Sequence, residues 1–199
     1  MKTFMIAGLG NPGPEYDETR HNVGFMAVNA IGHSFKVRRF NHNRLADWAA
    51  VELPLCGEPE PLKVLLVKPR TFMNSSGIAI AAMVQEHRIP LEHLIVIHDE
   101  MDLPVGTVRI SFNASAAGHN GIRSIIESCQ SKAFIRVRIG IEKPRSKAGT
   151  IDFVLSRFSR SEEDAILGVI AKATAIVESI MCEGIMAAQS MFNQRTARD

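Results

Sequence analysis

The sequence predicts an α/β fold in which helices flank one twisted, mixed β-sheet. Three observations point to this fold: short apolar runs that end in glycine, proline or polar residues, segments with helical spacing between them, and one strongly alternating segment. The chain has 199 residues, of which 46% are hydrophobic and 22% charged. These values are typical of a globular protein, and the length fits one domain spanning 1–199.

The individual elements follow from the same patterns, in order along the chain. Apolar runs predict strands at 4–9, 49–53, 62–67 and 94–98, and alternation predicts strands at 107–112 and 134–141. Helical spacing predicts helices at 20–33, 75–88 and 121–128. Thr19 is the expected N-cap of the first helix, and a capping-box pattern at 161–164 is expected to open a long last helix.

Composition excludes several classes of protein. The net charge of +2 says little about partners, so local patches must carry any argument for nucleic-acid binding. Cys56, Cys129 and Cys182 are odd in number and far apart, which argues against a disulfide framework or a zinc site. The N-terminus begins a strand rather than a signal peptide, and no apolar run approaches the roughly 20 residues of a membrane span. We expect a cytoplasmic protein.

Polar side chains with acid–base or amide chemistry cluster where the predicted strands end, and sites form at such ends in open α/β sheets. His21 lies in the first turn of a predicted helix, whose positive end disfavours the imidazolium and suits a general base. Asp99 could accept a hydrogen bond from that imidazole and fix its tautomer. Because no nucleophilic serine or cysteine motif accompanies them, the pair suggests hydrolysis by water.

Three amides accompany this pair, each in a separate loop or helix start: Asn11, Asn74 and Asn120. An amide donates and accepts without charge, so the three could hold a peptide backbone or stabilise an oxyanion. Taken singly, each asparagine could merely stabilise a turn, and Asp99 could cap a turn or pair with a lysine. Their coincidence with His21 and Asp99 favours a site.

Two other kinds of site fit the sequence less well. The Gly-x-Gly-x-x-Gly pattern at 8–13 lacks the immediate helix and the acidic residue about 20 positions on that dinucleotide binding requires. His21, His98, Asp99 and His119 could hold a metal, but their spacing matches no standard ligand motif. We therefore expect neither a cofactor nor a metal.

A basic segment at 132–147 suggests local contact with phosphate, although a solvated face is an equally good interpretation of the patch alone. It contains one acid, Glu142, against the basic residues Lys132, Arg136, Arg138, Lys143, Arg145 and Lys147.

Four motifs, in order and spacing, resemble those of the bacterial peptidyl-tRNA hydrolase family. They are GLGNPGPEYDETRHNVG at 8–24, KPRTFMNSSG at 68–77, HDEMDLPVG at 98–106 and GHNG at 118–121. The resemblance spans nearly the whole chain and implies a single-domain α/β fold with a twisted mixed sheet. It also implies an enzyme that needs no cofactor or metal and hydrolyses the ester between a peptide and the 3′ end of tRNA.

The resemblance also assigns roles to residues. It implies that His21 is the base for water, that Asp99 orients it, and that Asn11, Asn74 and Asn120 place substrate and water. Tyr16 and Met73 would line the cleft for the peptide and the tRNA terminus. Arg138, with Lys143 nearby, would contact tRNA phosphates at the acceptor stem. We expect a monomer whose partner is peptidyl-tRNA.

The sequence departs from the family pattern beside the last motif. Residues 112–117 replace a loop that is usually rich in glycine, Ser111 stands where a basic residue is common, and Glu142 stands where glycine is common. Glycine supplies positive φ angles, so its loss predicts a stiffer or differently shaped loop. This change motivates an alternative function, an RNA-binding relative without catalysis. Retention of His21, Asp99 and the three asparagines argues against that alternative.

Overall fold

The structure is a computed structural model that describes residues 2–54, 57, 59–143 and 149–193. Its strands are β1 (Thr3–Gly8), β2 (Asn41–His42), β3 (Ala46–Leu53), β4 (Leu62–Pro69), β5 (Leu94–Glu100), β6 (Val108–Phe112) and β7 (Ile135–Gly140). Its α-helices are α1 (Val23–Ser34), α2 (Ser76–Glu86), α3 (Asn120–Cys129), α4 (Thr150–Val154), α5 (Arg160–Cys182) and α6 (Ile185–Phe192). Short 3₁₀ turns lie at Pro14–Tyr16, Arg20–Asn22, Met73–Ser75 and Leu91–His93.

All seven described strands form one mixed sheet in the order β2-β3-β4-β1-β5-β7-β6. β4, β1, β5 and β7 are parallel neighbours. β3 and β6 pair antiparallel with β4 and β7, and β2 pairs antiparallel with β3 at one edge. Side chains of the strands alternate between two cores: Phe4 and Ile6 pack with α1 and α5, and Met5 and Ala7 pack with α2 and α3. The predicted fold class, an α/β domain with a mixed sheet, is confirmed.

The structure corrects two predicted helix starts. The first helix begins as the 3₁₀ turn Arg20–Asn22, and the Thr19 hydroxyl donates to the carbonyl of Tyr16 instead of capping the helix. The last long helix is capped by Ser159 rather than Ser161, with Glu162 completing the capping box. Three elements, β2, α4 and α6, were not predicted; each has eight residues or fewer, which gives a weak periodic signal.

Two expectations from composition also change. α5 is long and apolar enough by itself to cross a membrane, but half of its most apolar stretch is buried, and its stripe from Ile166 to Met181 packs into the core of the sheet. Cys182 is disulfide-bonded, although the number and spacing of the cysteines argued against a disulfide framework. Cys129 is free.

The carboxyl ends of β4, β1, β5 and β7 meet at one edge of the sheet, and the loops that leave this edge carry the polar motifs. α1 approaches the end of β1 closely because both contact residues are glycines. A Cβ on Gly8 would lie 2.2 Å from the carbonyl oxygen of Gly24, and one on Gly24 would lie 2.4 Å from that of Ile97. This close approach places the start of α1, and the turn before it, beside the end of β5.

Candidate active site

A histidine–aspartate pair lies at this edge of the sheet, as the sequence predicted. His21 Nδ1 is 2.9 Å from both carboxylate oxygens of Asp99, although the two residues are 78 positions apart. Asp99 is 2% exposed, and the His21 side chain is 13% exposed. A carboxylate acts only as an acceptor, so Nδ1 carries the proton and the Nε2 lone pair is available to a water molecule.

A second histidine, His119, joins the pair; its place in the sequence had indicated only a candidate metal ligand. His119 Nε2 is 2.9 Å from Asp99 Oδ1, and its Nδ1 accepts the backbone N–H of Ile122 at 3.3 Å. Because Nδ1 is an acceptor, Nε2 carries the proton and donates to Asp99. The hydrogen-bonding pattern fixes the tautomers of both histidines. The only signal in the sequence was the position of His119 directly before a predicted helix, where side chains often cap.

The two histidines decide the charge of Asp99. Burial raises the pKa of its carboxyl group, but His119 and His21 outweigh this effect and hold the pKa well below its ordinary value. Asp99 is therefore a carboxylate at neutral pH. His98, the preceding residue, is fully buried; burial lowers the pKa of its imidazole, which keeps it neutral. Its Nδ1 lies 2.6 Å from the Asp99 carbonyl oxygen, a supporting contact.

A cavity of about 100 Å³ adjoins this cluster. One wall consists of His21, Asp99 and His119, and the loop 117–120 forms another. The apolar side chains of Ile151 and Val154, from α4, also line it. The cavity thus combines an acid–base pair with apolar side chains.

The turn that carries His21 is fixed by its neighbour Arg20, which is buried. The Arg20 guanidinium donates to both carboxylate oxygens of Glu162, at 2.9 and 2.7 Å. It also lies 4.4 Å from the ring centre of Phe153 in α4 and 4.9 Å from that of Phe158. Hydrogen bonding to Arg20 lowers the pKa of Glu162 to about 2. Arg20 therefore ties the turn of the base to both α4 and α5.

Asn11 and Asn22 form a reciprocal brace in the first motif. The Asn11 backbone N–H donates to Asn22 Oδ1 at 2.8 Å, and Asn22 Nδ2 donates to the Asn11 carbonyl at 2.9 Å. Asn11 Oδ1 accepts the backbone N–H of Met73 at 2.8 Å. Its acceptor is thus occupied by the protein, and no described residue accepts from its Nδ2. Asn22, which the sequence analysis did not single out, is a structural member of the site.

The other predicted substrate residues have different environments. Asn120 lines the cavity, and Arg123 donates to its Oδ1, so the Asn120 amide also retains a donor. Asn74 is exposed at the start of the α2 region. The Tyr16 ring meets the exposed ring of Phe72 edge-on, with 6.3 Å between ring centres. Met73 is buried in the core that α2 and α3 cover, and it lines none of the described cavities.

The predicted phosphate-binding residues have different environments. Arg138 is 19% exposed and pairs with Glu100, whereas Lys143 is 65% exposed and pairs with Asp102. Arg136, which the sequence analysis listed with the basic segment, is buried and donates to the Ser115 carbonyl at 2.7 Å, so it belongs neither to a solvated face nor to an exposed phosphate-binding surface. Arg145 and Lys147 lie outside the described residues.

A larger cavity of about 670 Å³ lies on the β4 side of Asn11. Its two cations already have partners: Lys68 donates to Asn29 at 2.7 Å, and Arg70 to Asp47 at 3.3 Å. It contains neither His21 nor Asp99. The acid–base chemistry therefore belongs to the smaller cavity.

His21, Asp99 and His119 offer three ligand atoms within 4.8 Å of one another, close enough to suit a metal ion. Their hydrogen bonds favour a different arrangement. His119 would have to move its proton to Nδ1 to bind a metal through Nε2, and it would then lose the N–H of Ile122. The donors and acceptors are already matched without a metal ion.

Comparisons with known proteins identify the family of the chain. The family model described as peptidyl-tRNA hydrolase matches residues 5–199. The peptidyl-tRNA hydrolase of Caldanaerobacter subterraneus is 45% identical over 192 residues, which cover 96% of this chain and 99% of the relative. That of Bifidobacterium animalis is 39% identical over 197 residues, covering 96% and 98%. The crystal structure of peptidyl-tRNA hydrolase from Acinetobacter baumannii superposes with a TM-score of 0.87 at 30% identity, covering 96% of this chain and 94% of that one.

Proposed function

The chain belongs to the peptidyl-tRNA hydrolase family and hydrolyses the ester that joins a peptide to the 3′ end of tRNA; we propose that His21 and Asp99 carry out this reaction through an activated water molecule. The reaction recycles tRNA from prematurely ended translation. The observation that carries the proposal is the hydrogen bond of His21 Nδ1 to the buried Asp99, which leaves Nε2 free.

The first step is attack of water on the ester carbonyl carbon. His21 Nε2 takes a proton from the water as the oxygen bonds to carbon, and Asp99 stabilises the imidazolium that forms. The carbonyl π electrons move to oxygen and give a tetrahedral oxyanion. Breakdown then expels the ribose oxygen, which receives the proton from His21. The products are a peptide with a free carboxyl group and a tRNA with a free 3′ end.

The asparagines supply donors for this reaction. The backbone of Met73 and the side chain of Arg123 already donate to the Oδ1 atoms of Asn11 and Asn120, so their Nδ2 groups would be the donors to substrate carbonyls and to the oxyanion. Asn120 lines the cavity of His21, whereas Asn11 lines the larger cavity. Asn74, which is exposed, would bind the peptide backbone further out, and Tyr16 with Phe72 offers an aromatic surface at the rim. A site that binds backbone groups can accept peptides irrespective of their side chains.

The tRNA would extend toward the β7 end of the sheet edge. Arg138 and Lys143 lie on that side and would contact phosphates of the acceptor stem. The enzyme would act in the cytoplasm as a monomer. Sedimentation of the purified protein checks the monomer, and a loss of tRNA affinity as salt is raised checks the phosphate contacts.

The decisive experiment measures release of tRNA from N-acetyl-aminoacyl-tRNA by the wild-type protein and by His21→Ala, which removes the lone pair that accepts the proton of water. Unchanged turnover in the variant would contradict the role of His21. The alternative, an RNA-binding relative without catalysis, is not favoured, and an absence of turnover by the wild-type protein would be needed to revive it.

A further inference from the structure

Glu100 is a buried carboxylate that the mechanism does not use. It is the last residue of β5, directly after Asp99, and is 6% exposed. Its two oxygens have different partners: Oε1 accepts the backbone N–H of Asp102 at 3.0 Å, whereas Oε2 accepts Nε and Nη2 of Arg138 at 3.0 and 2.8 Å. The Glu100 side chain thus connects the turn after β5 to an arginine of β7.

The contacts leave part of Arg138 free. A guanidinium has five N–H donors, and Glu100 engages only those on Nε and one on Nη2. No described residue accepts from Nη1. The bonded edge is fixed against the buried carboxylate, so the group is held in one orientation before any ligand arrives. An oriented guanidinium binds phosphate through two parallel N–H groups without first losing its own freedom.

The local charge also favours an anion. Arg136 lies near the same carboxylate; its burial, together with the charge of Arg138, lowers the pKa of its guanidinium, and Glu100 opposes that shift. Among the described residues, Arg136 forms no ion pair of its own. Glu100 bonds to Arg138 alone and acts on Arg136 only through its charge, so these three side chains together keep a net positive charge.

We infer that Glu100 is a positioning residue for tRNA recognition, which holds Arg138 at the end of β7 with its free N–H groups available to an acceptor-stem phosphate. The inference rests on the tRNA contact proposed above for Arg138. The chemistry requires a carboxylate with two free acceptors. A glutamine would present an NH₂ group either to Arg138 or to the Asp102 N–H, and two donors cannot bond.

The neighbouring pair of Asp102 and Lys143 differs in one respect. Both side chains are largely exposed, at 48% and 65%, so solvent screens the pair and neither group is held in one orientation. We assign the positioning role to the buried pair alone.

The test compares two substrates with Glu100→Gln. One is N-acetyl-aminoacyl-tRNA; the other is the same ester on a CCA trinucleotide, which has no acceptor stem. For the tRNA substrate, KM should rise about tenfold with kcat unchanged, and the slope of log KM against log salt should fall by about one. For the trinucleotide, kcat/KM should be unchanged, which also shows that the variant is folded.

A double-mutant cycle separates positioning from general stability. Arg138→Gln should raise KM as much as Glu100→Gln, and the double variant should show no further rise. Arg138→Lys, which keeps the charge but lacks the planar fork, should also raise KM and serves if Glu100→Gln fails to fold. Glu127→Gln, at an exposed glutamate of α3, is the matched control and should change nothing.

The inference would be overturned if Glu100→Gln lost kcat/KM equally on both substrates or left KM for the tRNA substrate unchanged. It would also be overturned if the increases in KM were additive in the double-mutant cycle. Fluorescence anisotropy with uncharged tRNA gives the same comparison without catalysis: Glu100→Gln should weaken binding about tenfold. If the wild-type protein bound tRNA but hydrolysed neither substrate, the proposed function would fail while this measurement still decided the role of Glu100.

Discussion

Two segments bring a histidine to the same carboxylate, and they are held in different ways. Segment 10–22 carries His21 and is fixed by side chains: Asn11 and Asn22 bond to each other's backbone, and Arg20 is buried against Glu162. Segment 112–120 carries His119 and depends more on its backbone. Asn113 and Ala117 have φ angles of 52° and 47°, and Arg136 holds the segment through one carbonyl.

The difference follows the chemical roles of the two histidines. His21 must keep Nε2 within hydrogen-bond reach of water, so any movement of its segment reduces the rate. His119 only has to supply one N–H to Asp99. Ala117 adopts a left-handed conformation that costs an L-residue about 1–2 kcal/mol. Ala117 belongs to the loop where the sequence departs from the glycine-rich family pattern. Glu142, at another position where the family usually has glycine, also has a positive φ, of 61°. Replacement of glycine has therefore not abolished the glycine-like backbone at these positions.

The comparison predicts unequal effects of removing the two histidines. His21→Gln should lower kcat by about 10²–10⁴-fold, because a glutamine cannot accept the proton of water. His119→Gln should lower kcat by about tenfold or less, because its amide can still donate to Asp99. Single-turnover hydrolysis of N-acetyl-aminoacyl-tRNA measures both. His33→Gln, at an exposed histidine of α1, is the control; equal losses in the first two variants would remove the distinction between them.

Asp99→Asn should be nearly as severe, about 10²–10⁴-fold in kcat, by analogy with the catalytic triad of serine hydrolases. An asparagine has one acceptor and one donor group facing two histidine N–H groups. If its NH₂ faces His21, the proton moves to Nε2 and the base is lost. His119 competes with His21 for the one acceptor that an asparagine at position 99 offers. Asp99→Asn combined with His119→Gln should therefore recover part of the rate that Asp99→Asn loses. Rates of the single and double variants test this, and a double variant no faster than the single would contradict it.

Weakening the ion pair of Arg20 with Glu162, which holds segment 10–22, should lower the free energy of unfolding. Glu162→Gln removes the charge that binds Arg20 and should cost about 1.5–3 kcal/mol in the free energy of unfolding, measured with urea. The Glu162 pKa is lowered from 4.5 to about 2, so its contribution is full above about pH 4.5 and is lost as pH falls toward about 2. The difference between wild type and variant should shrink across that range.

The control for Glu162→Gln is Glu18→Gln. Glu18 forms an exposed ion pair with Arg157 at 3.4 Å, and such pairs contribute about 0–1 kcal/mol. If Glu162→Gln and Glu18→Gln lowered the free energy of unfolding equally, the buried pair of Arg20 with Glu162 would contribute no more than an exposed surface pair.

The smallest effect concerns the backbone of segment 112–120. Ala117→Gly should stabilise the protein by up to about 1 kcal/mol, because relief of the left-handed conformation exceeds the entropy cost of glycine. Ala114→Gly, where φ is not positive, should destabilise it by about 0.5–1 kcal/mol. Urea unfolding measures the free energy of unfolding of both variants. If both substitutions changed it in the same direction, the positive φ at position 117 would not be the source of the destabilisation.

The sequence by itself determined the elements with strong local patterns and most of the chemistry. Apolar runs and alternation predicted six of the seven described strands, and helical spacing predicted the main helices, since all three are properties of neighbouring residues. The polar strand ends predicted that His21 and Asp99 would meet, because parallel strands end at one edge of a sheet. Helix starts were less certain, as the shift from Ser161 to Ser159 shows, since several serines offer similar caps.

Tertiary structure alone decided which polar groups share a partner. Nothing local indicates that His119 donates to the carboxylate that orients His21, that Glu100 binds Arg138, or that Arg136 is buried while Arg138 is partly exposed. Arg136 and Arg138 lie on the same face of one strand, so periodicity treats them alike. Their difference arises from what packs above them, the loop 112–117 over one and the carboxyl edge of the sheet beside the other. Such contacts depend on strand order and loop path, which the local pattern of a sequence does not encode.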